Sequence, residues 1–192
     1  RYFGGLHFRD LMRRNDGTLT GGPTWQRSAD RSGGFGSLYS PLNAYVAAPG
    51  NELTRVSYSC WAKWTIAGAS DYPSCMATVE AGSPTVTDRN FRFLATTITF
   101  GIFDGASQVA TYTSGANNDI WYHLCGTADG TNIRLYVNGR LDATTLAGDP
   151  YTGYTDPQIR FGSFVINTAP VLIDDVRSYS RVLSDAEVYQ LY

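Results

Sequence analysis

The chain has 192 residues, 43% of them hydrophobic and 14% aromatic, which is enough for one domain with a sizeable core and too much for a disordered segment. Its formal charge of −2 gives no electrostatic case for a nucleic-acid partner, and no apolar run reaches the length of a membrane span. The three cysteines, Cys60, Cys75 and Cys125, are too few and odd in number for a disulfide framework, and no C-x-x-C or Cys/His spacing points to zinc.

Arginine outnumbers lysine fourteen to one, with Lys63 the sole lysine. We read that as coding bias before any preference for bidentate contacts. The sequence opens at Arg1 with neither a methionine nor an apolar signal segment, so a processed product or an excised piece is expected. No internal repeat, linker or charge block divides the chain, and residues 1–192 are expected to form one domain.

Period-two alternation recurs along the chain and helical periodicity is nearly absent. Asp16-Gly17 marks an early turn. Val56, Tyr58, Cys60, Ala62 and Trp64 alternate with Ser57, Ser59 and Lys63, which predicts a strand with Cys60 on its apolar face and Trp61 on the other. Cys60 is expected as a small buried thiol; a Cys60–Cys75 cross-strand bridge is open, but the spacing does not specify it. Ile98, Phe100 and Ile102 share one face of a later strand, and Asp104-Gly105 ends it. Residues 120–128 and 131–138 are predicted to pair through Asp129-Gly130, since Asp-Gly accepts positive φ at little cost. Within that hairpin Ile133, Leu135 and Val137 are expected inward and Asn132, Arg134 and Tyr136 outward. Asn138-Gly139 turns the chain once more.

Only the end reads as helix. Ser184 and Glu187 have the spacing of a capping box, with Leu183 and Val188 as its hydrophobic staple and Leu191 extending the stripe. A helix this short must pack on the sheets. Many short strands, frequent glycine turns and one terminal helix predict an all-β, two-sheet antiparallel sandwich.

Several segments, taken in order, resemble the laminin-G-like branch of the concanavalin A-like lectin/glucanase jelly rolls. They are Asp10-Leu11 with Asn15 to Leu19, Gly36-Ser37-Leu38 through Tyr45-Val46, Ser59-Cys60-Trp61-Ala62, Trp121-Tyr122-His123, Leu135 to Gly139, and Ile173-Asp174-Asp175-Val176-Arg177. The resemblance implies a jelly-roll sandwich over nearly the whole chain. It also implies an apolar strand ahead of the early loop, where this chain has only Arg1 to Phe8. Tyr2-Phe3 and Leu6 supply a short version, or the N-terminal edge is left for upstream sequence or for self-association.

The related glucanases use paired carboxylates in a Glu-x-Asp-x-x-Glu arrangement, because a glycosidase needs one protonated and one ionised group flanking the scissile bond. The three glutamates here, Glu52, Glu80 and Glu187, lack such a partner, so no enzyme is expected. Asp174 and Asp175 are adjacent and on a regular strand would face apart. His123 has no nucleophile motif such as G-x-S-x-G beside it, and a hydrogen-bonded histidine within the sandwich is expected.

Asp174 lies between Leu172 and Val176, and if that face turned inward its carboxylate would need a partner or a metal. In many relatives the early loop lies near this late strand, sometimes around a structural calcium. Asp10 and Asp174 are therefore the candidate metal ligands, with Arg13 and Arg14 as the alternative neutralising partners. For a glycan, the chemistry needs an aromatic platform and nearby amides or carboxylates. Tyr151 and Tyr154 in a turn-rich loop, Asn117 and Asn118 ahead of Trp121, and Trp61 are the candidates, although the resemblance gives the tryptophan a structural role.

The expected function is a non-catalytic recognition or adhesion module for a glycan or surface protein, placed outside the cell or on a particle surface. A structural or assembly protein, such as a virion decoration, a fibre or a surface-layer component, is the alternative. A glycoside hydrolase is the weakest reading for want of its carboxylates.

Overall fold

The structure is a computed structural model that describes residues 17–27, 36–41, 44–50, 55–65, 74–81, 83–94, 96–103, 108–112, 114–146, 156–162 and 170–192. Its strands are β1 (Thr18–Thr20), β2 (Thr24–Arg27), β3 (Gly36–Ser40), β4 (Tyr45–Pro49), β5 (Val56–Trp64), β6 (Ser74–Glu80) and β7 (Ser83–Leu94). They continue with β8 (Thr97–Phe103), β9 (Gln108–Thr111), β10 (Tyr122–Ala128), β11 (Asn132–Val137), β12 (Arg140–Leu146), β13 (Pro157–Gly162) and β14 (Val171–Tyr179), and the chain closes with α1 (Asp185–Leu191). One sheet runs β1-β4-β13-β6-β7-β8-β9 and the other β12-β11-β10-β5-β14-β3-β2. All pairings are antiparallel, so the expected two-sheet jelly-roll sandwich with a short C-terminal helix is what forms.

Alternation decides which side chains meet between the sheets. Val56, Tyr58, Cys60, Ala62 and Trp64 of β5 all enter the core, as do Ile133, Leu135 and Val137 of β11. From the facing sheet come Met76, Phe91, Phe93, Ile98 and Phe100. Trp64 stacks on Phe93 with centroids 3.8 Å apart and on Tyr122 at 5.4 Å, tying the two sheets together through aromatic area. Tyr58 and Thr78 exchange a hydrogen bond across the same interface.

The hairpins follow their turn chemistry. Asp129 Oδ1 accepts from the N–H groups of Thr131 and Asn132, while Gly130 takes φ +91. Asn138 (φ +52) and Gly139 (φ +77) form a two-residue turn of the primed kind, with Val137 opposite Arg140.

The outer face of the second sheet is not left to solvent. Ser57 Oγ accepts from the Leu183 N–H at 2.9 Å and donates to the Arg181 carbonyl at 2.8 Å, which pins the segment ahead of α1 onto β5. Leu183 and Val188 then bury against Cys125 and Tyr136, and Tyr136 donates its hydroxyl to Asp185 at 2.8 Å. Tyr136 does point away from the main core as its position in the alternation requires, but it is buried because the helix supplies a second small core there.

The capping box at Ser184 and Glu187 is present in full. Glu187 is held at about 2, below the ordinary 4.5, first by Arg181 (2.6 Å) and then by the Ser184 N–H. A lowered folded value means this stabilisation is complete above about 4.5 and is lost as pH falls toward about 2. Both side chains are solvent-exposed, so added salt weakens the pair. The protection of the α1 amides, corrected for the intrinsic exchange rate at each pH, should fall as pH drops through that window in the wild type and stay flat in Glu187→Gln. An equal pH dependence in both would contradict the assignment.

The cysteines are free thiols. Cys60 and Cys75 do not sit on neighbouring strands, as a cross-strand bridge would need. They face each other from opposite sheets, with sulfurs 3.6 Å apart.

Candidate functional site

The outer face of β10, β5 and β14 gathers the polar and aromatic residues that alternation expels from the core. The register places His123 opposite Trp61 and Trp61 opposite Asp174, making one row across three strands. Extending β10 back by one residue sets Trp121 beside Lys63, and the Lys63 ammonium lies 5.4 Å from the Trp121 ring centroid. Leu172 flanks Lys63 on its other side, and Tyr39 of β3 follows.

At one end of this face the loop of Asn117, Asn118, Asp119 and Ile120 is held in place by the core strand. The Asp119 N–H donates to the Trp64 carbonyl at 2.9 Å, and the Thr65 hydroxyl donates to Asp119 Oδ1 at 2.6 Å. The Asn117 N–H donates to the Tyr122 hydroxyl at 3.0 Å. Asp119 takes φ +60, a conformation Asp tolerates better than most residues. Asn117, Asn118 and Ile120 are exposed, and Trp121 behind them is half-buried. The indole N–H of Trp121 has no hydrogen-bond partner among the described residues. An aromatic face and an ammonium therefore meet at one rim of the second sheet, and the loop leading into Trp121 carries exposed amides.

The middle of the face is closed. Tyr192 stacks on Trp61 with centroids 5.6 Å apart and planes 22° apart, and lies 6.0 Å from the His123 ring. Trp61 also contacts His123 at 5.4 Å. The tryptophan is half-buried under the chain's own tyrosine, in keeping with the structural role its resemblance implied.

His123 is 1% exposed, and its Nε2 lies 3.0 Å from the Ser59 hydroxyl, itself 2% exposed. His123 is buried and hydrogen-bonded as expected, but on the outer face of the second sheet rather than between the sheets, and its partner is a serine that no sequence motif flagged. A Ser–His pair is a nucleophile and a base in outline. This one is buried beneath the C-terminal segment, both side chains being withdrawn from the surface.

The β14 geometry corrects the reading of Asp174. Ile173 and Ala62 enter the core together, so Asp174 beside Trp61 points to the outer face. A bulge between Asp174 and Arg177, with Asp175 at φ +48, then breaks the alternation and returns Val176 to the core. Asp174 and Val176 thus do not share a face. The carboxylates are still no catalytic pair. Asp174 Oδ1 accepts the Asp175 N–H at 2.7 Å, and Asp175 forms a two-point ion pair with Arg177, each bond 2.9 Å.

Among the described residues no three His, Cys, Asp or Glu side chains gather around a metal position. Asp174 by itself does not make a calcium shell, which needs six or more oxygens. Asp10, Arg13, Arg14, Tyr151 and Tyr154 lie outside the described residues, as do Tyr2, Phe3 and the rest of the N-terminal edge.

A family model described as the concanavalin A-like lectin/glucanases superfamily matches residues 40–189. The chain belongs to the concanavalin A-like lectin/glucanase superfamily. Domains of known structure share its sandwich at low identity. The binding domain of botulinum neurotoxin DC, solved in complex with SialylT, matches at 14% identity with a TM-score of 0.66, covering 92% of this chain and 46% of that one. The receptor-binding domain of botulinum neurotoxin type G matches at 15% identity and a TM-score of 0.67, covering 91% and 45%. The binding domain of neurotoxin DC in complex with rat synaptotagmin II matches at 15% and 0.66, covering 97% and 50%. This chain therefore spans about half the length of these structures, and the likeness is one of fold. No curated protein matches the sequence. No helix among the described residues is long and apolar enough to cross a membrane.

Proposed function

We propose that this superfamily member is a non-catalytic recognition module that binds a glycan or glycan-bearing surface outside the cell or on a particle. The observation that carries this reading is the rim where the Lys63 ammonium lies over Trp121, with exposed Asn117 and Asn118 in the loop that leads into it. A sugar presents C–H faces that stack on an indole and hydroxyls that pair with amides, and this rim and its loop offer both beside a single cation. Tyr151 and Tyr154 belong to the same proposal as further aromatic contacts. The neighbouring toxin domains lend support to the ligand class, since one was solved with SialylT and another with synaptotagmin II, on chains about twice as long as this one. The buried Ser59–His123 pair and the separate engagements of Asp174 and Asp175 support a binding role over hydrolysis.

The test is binding to immobilised glycans, acidic and neutral, by the wild type and by Trp121→Ala and Asn118→Ala. Trp121→Ala should weaken retention about tenfold or more, a loss of ~1.4 kcal/mol, while its melting curve stays close to wild type. A wild type that binds no glycan in the panel and elutes as a symmetric assembly would overturn the reading in favour of a structural component.

A further inference from the structure

The two thiols that face each other between the sheets have no part in recognition. Cys60 on β5 and Cys75 on β6 are each 0% exposed, and their sulfurs are 3.6 Å apart. They belong to different sheets, so a bond between them would join the two layers covalently. A disulfide needs the sulfurs at about 2.05 Å, so the two must draw together from their contact at 3.6 Å.

The third thiol cannot compete. Leu124 pairs with Cys60 and Cys125 with Ser59, so Cys125 projects from the opposite face of the same sheet. There it is packed with Tyr136, Leu183 and Val188, and burial pushes its thiol up to about 12. One pairing out of three is thus selected by register alone.

We propose that Cys60 and Cys75 close into an inter-sheet disulfide when the chain folds in the presence of a disulfide oxidant. The thiolate of one cysteine attacks the oxidant's S–S bond, forming a mixed disulfide and releasing one thiol. The thiolate of the other then displaces the second half of the oxidant. The pair gives up two electrons and two protons, and the oxidant leaves as two thiols.

Folding is also when the state is set. In the finished sandwich neither sulfur is reachable, and burial together with the neighbouring Cys60 sulfur holds the Cys75 thiol well above its ordinary range, so the attacking thiolate is scarce. A chain folded reduced stays reduced, and a chain folded oxidised resists reductant until it opens. The two-layer fold therefore records the redox condition under which it was made.

The test refolds the full chain with oxidised glutathione or with dithiothreitol, alkylates free thiols after unfolding, and maps peptides without reduction. The oxidised preparation should show the Cys60 and Cys75 peptides linked with loss of two hydrogens, and Cys125 alkylated. It should melt roughly 5–10 °C above the reduced preparation. Cys75→Ala should abolish both the link and the shift, whereas Cys125→Ala should keep both. Three alkylated cysteines in natively folded, oxidised material would overturn the proposal, as would a link to Cys125.

Discussion

Replacing Trp64 with alanine should destabilise the fold by about 3–5 kcal/mol, the range for truncating a large buried aromatic. Trp64 is 1% exposed and lies between Phe93 of the facing sheet and Tyr122 of its own. Its loss would empty a buried space between the layers at one end of the sandwich, and rings fixed by strands on both sides cannot collapse to fill it. Domains of this size hold only about 5–15 kcal/mol in total, so the variant should lose a large part of its cooperative unfolding transition in urea. Trp64→Phe is the informative control. It keeps a ring against Phe93 and removes an indole N–H that is buried without a hydrogen-bond partner among the described residues. It should therefore cost well under half as much as the alanine variant. Equal midpoints for wild type and Trp64→Ala would mean that Trp64 does not bridge the layers.

Much of this architecture is legible locally. The β10–β11 hairpin follows from Asp129-Gly130 between alternating runs, and the next turn from Asn138-Gly139, because those residue pairs accept backbone angles that others resist. The helix start follows from Ser184 and Glu187, three positions apart. The burial of Trp64 and Cys60 follows from the parity of one strand. These features need no knowledge of distant chain.

What escaped the sequence is set by distant contacts. β13 lies between β4 and β6, a pairing that no local pattern announces. Tyr136 keeps its outward direction and is buried all the same, because α1 from the chain's end lands on it. The bulge at Asp175 shifts parity in the middle of a strand that reads as regular, and that reverses the relation of Asp174 to Val176. The Ser59–His123 pair needs the β5–β10 register before it can be seen. Trp121 was visible only as part of a fold signature. Its place beside Lys63 follows once β5 and β10 are paired, since it shares the outward parity of His123.

Gly139→Ala should destabilise the protein by about 1–2 kcal/mol and loosen the C-terminal cover of the outer face. Two separate costs meet at this position. Gly139 holds φ +77 in the turn after β11, where a Cβ crowds the backbone. A Cβ there would also lie 2.9 Å from the Tyr192 Cβ and 3.2 Å from its ring, so the tyrosine must move. Moving it is expected to disturb the stack on Trp61, since the same tyrosine makes both contacts. The turn cannot yield instead. The Asn138 N–H donates to the His123 carbonyl at 2.8 Å, and the His123 N–H donates to Asn138 Oδ1 at 3.0 Å, which fixes it to β10. A double-mutant cycle with Tyr192→Ala separates the two costs. Gly139→Ala should cost less when Tyr192 is already alanine, with the remainder owed to the positive φ. The tryptophan emission of Gly139→Ala should also move toward that of Tyr192→Ala as Trp61 is uncovered. An identical cost in both backgrounds would show that Tyr192 does not rest on the turn.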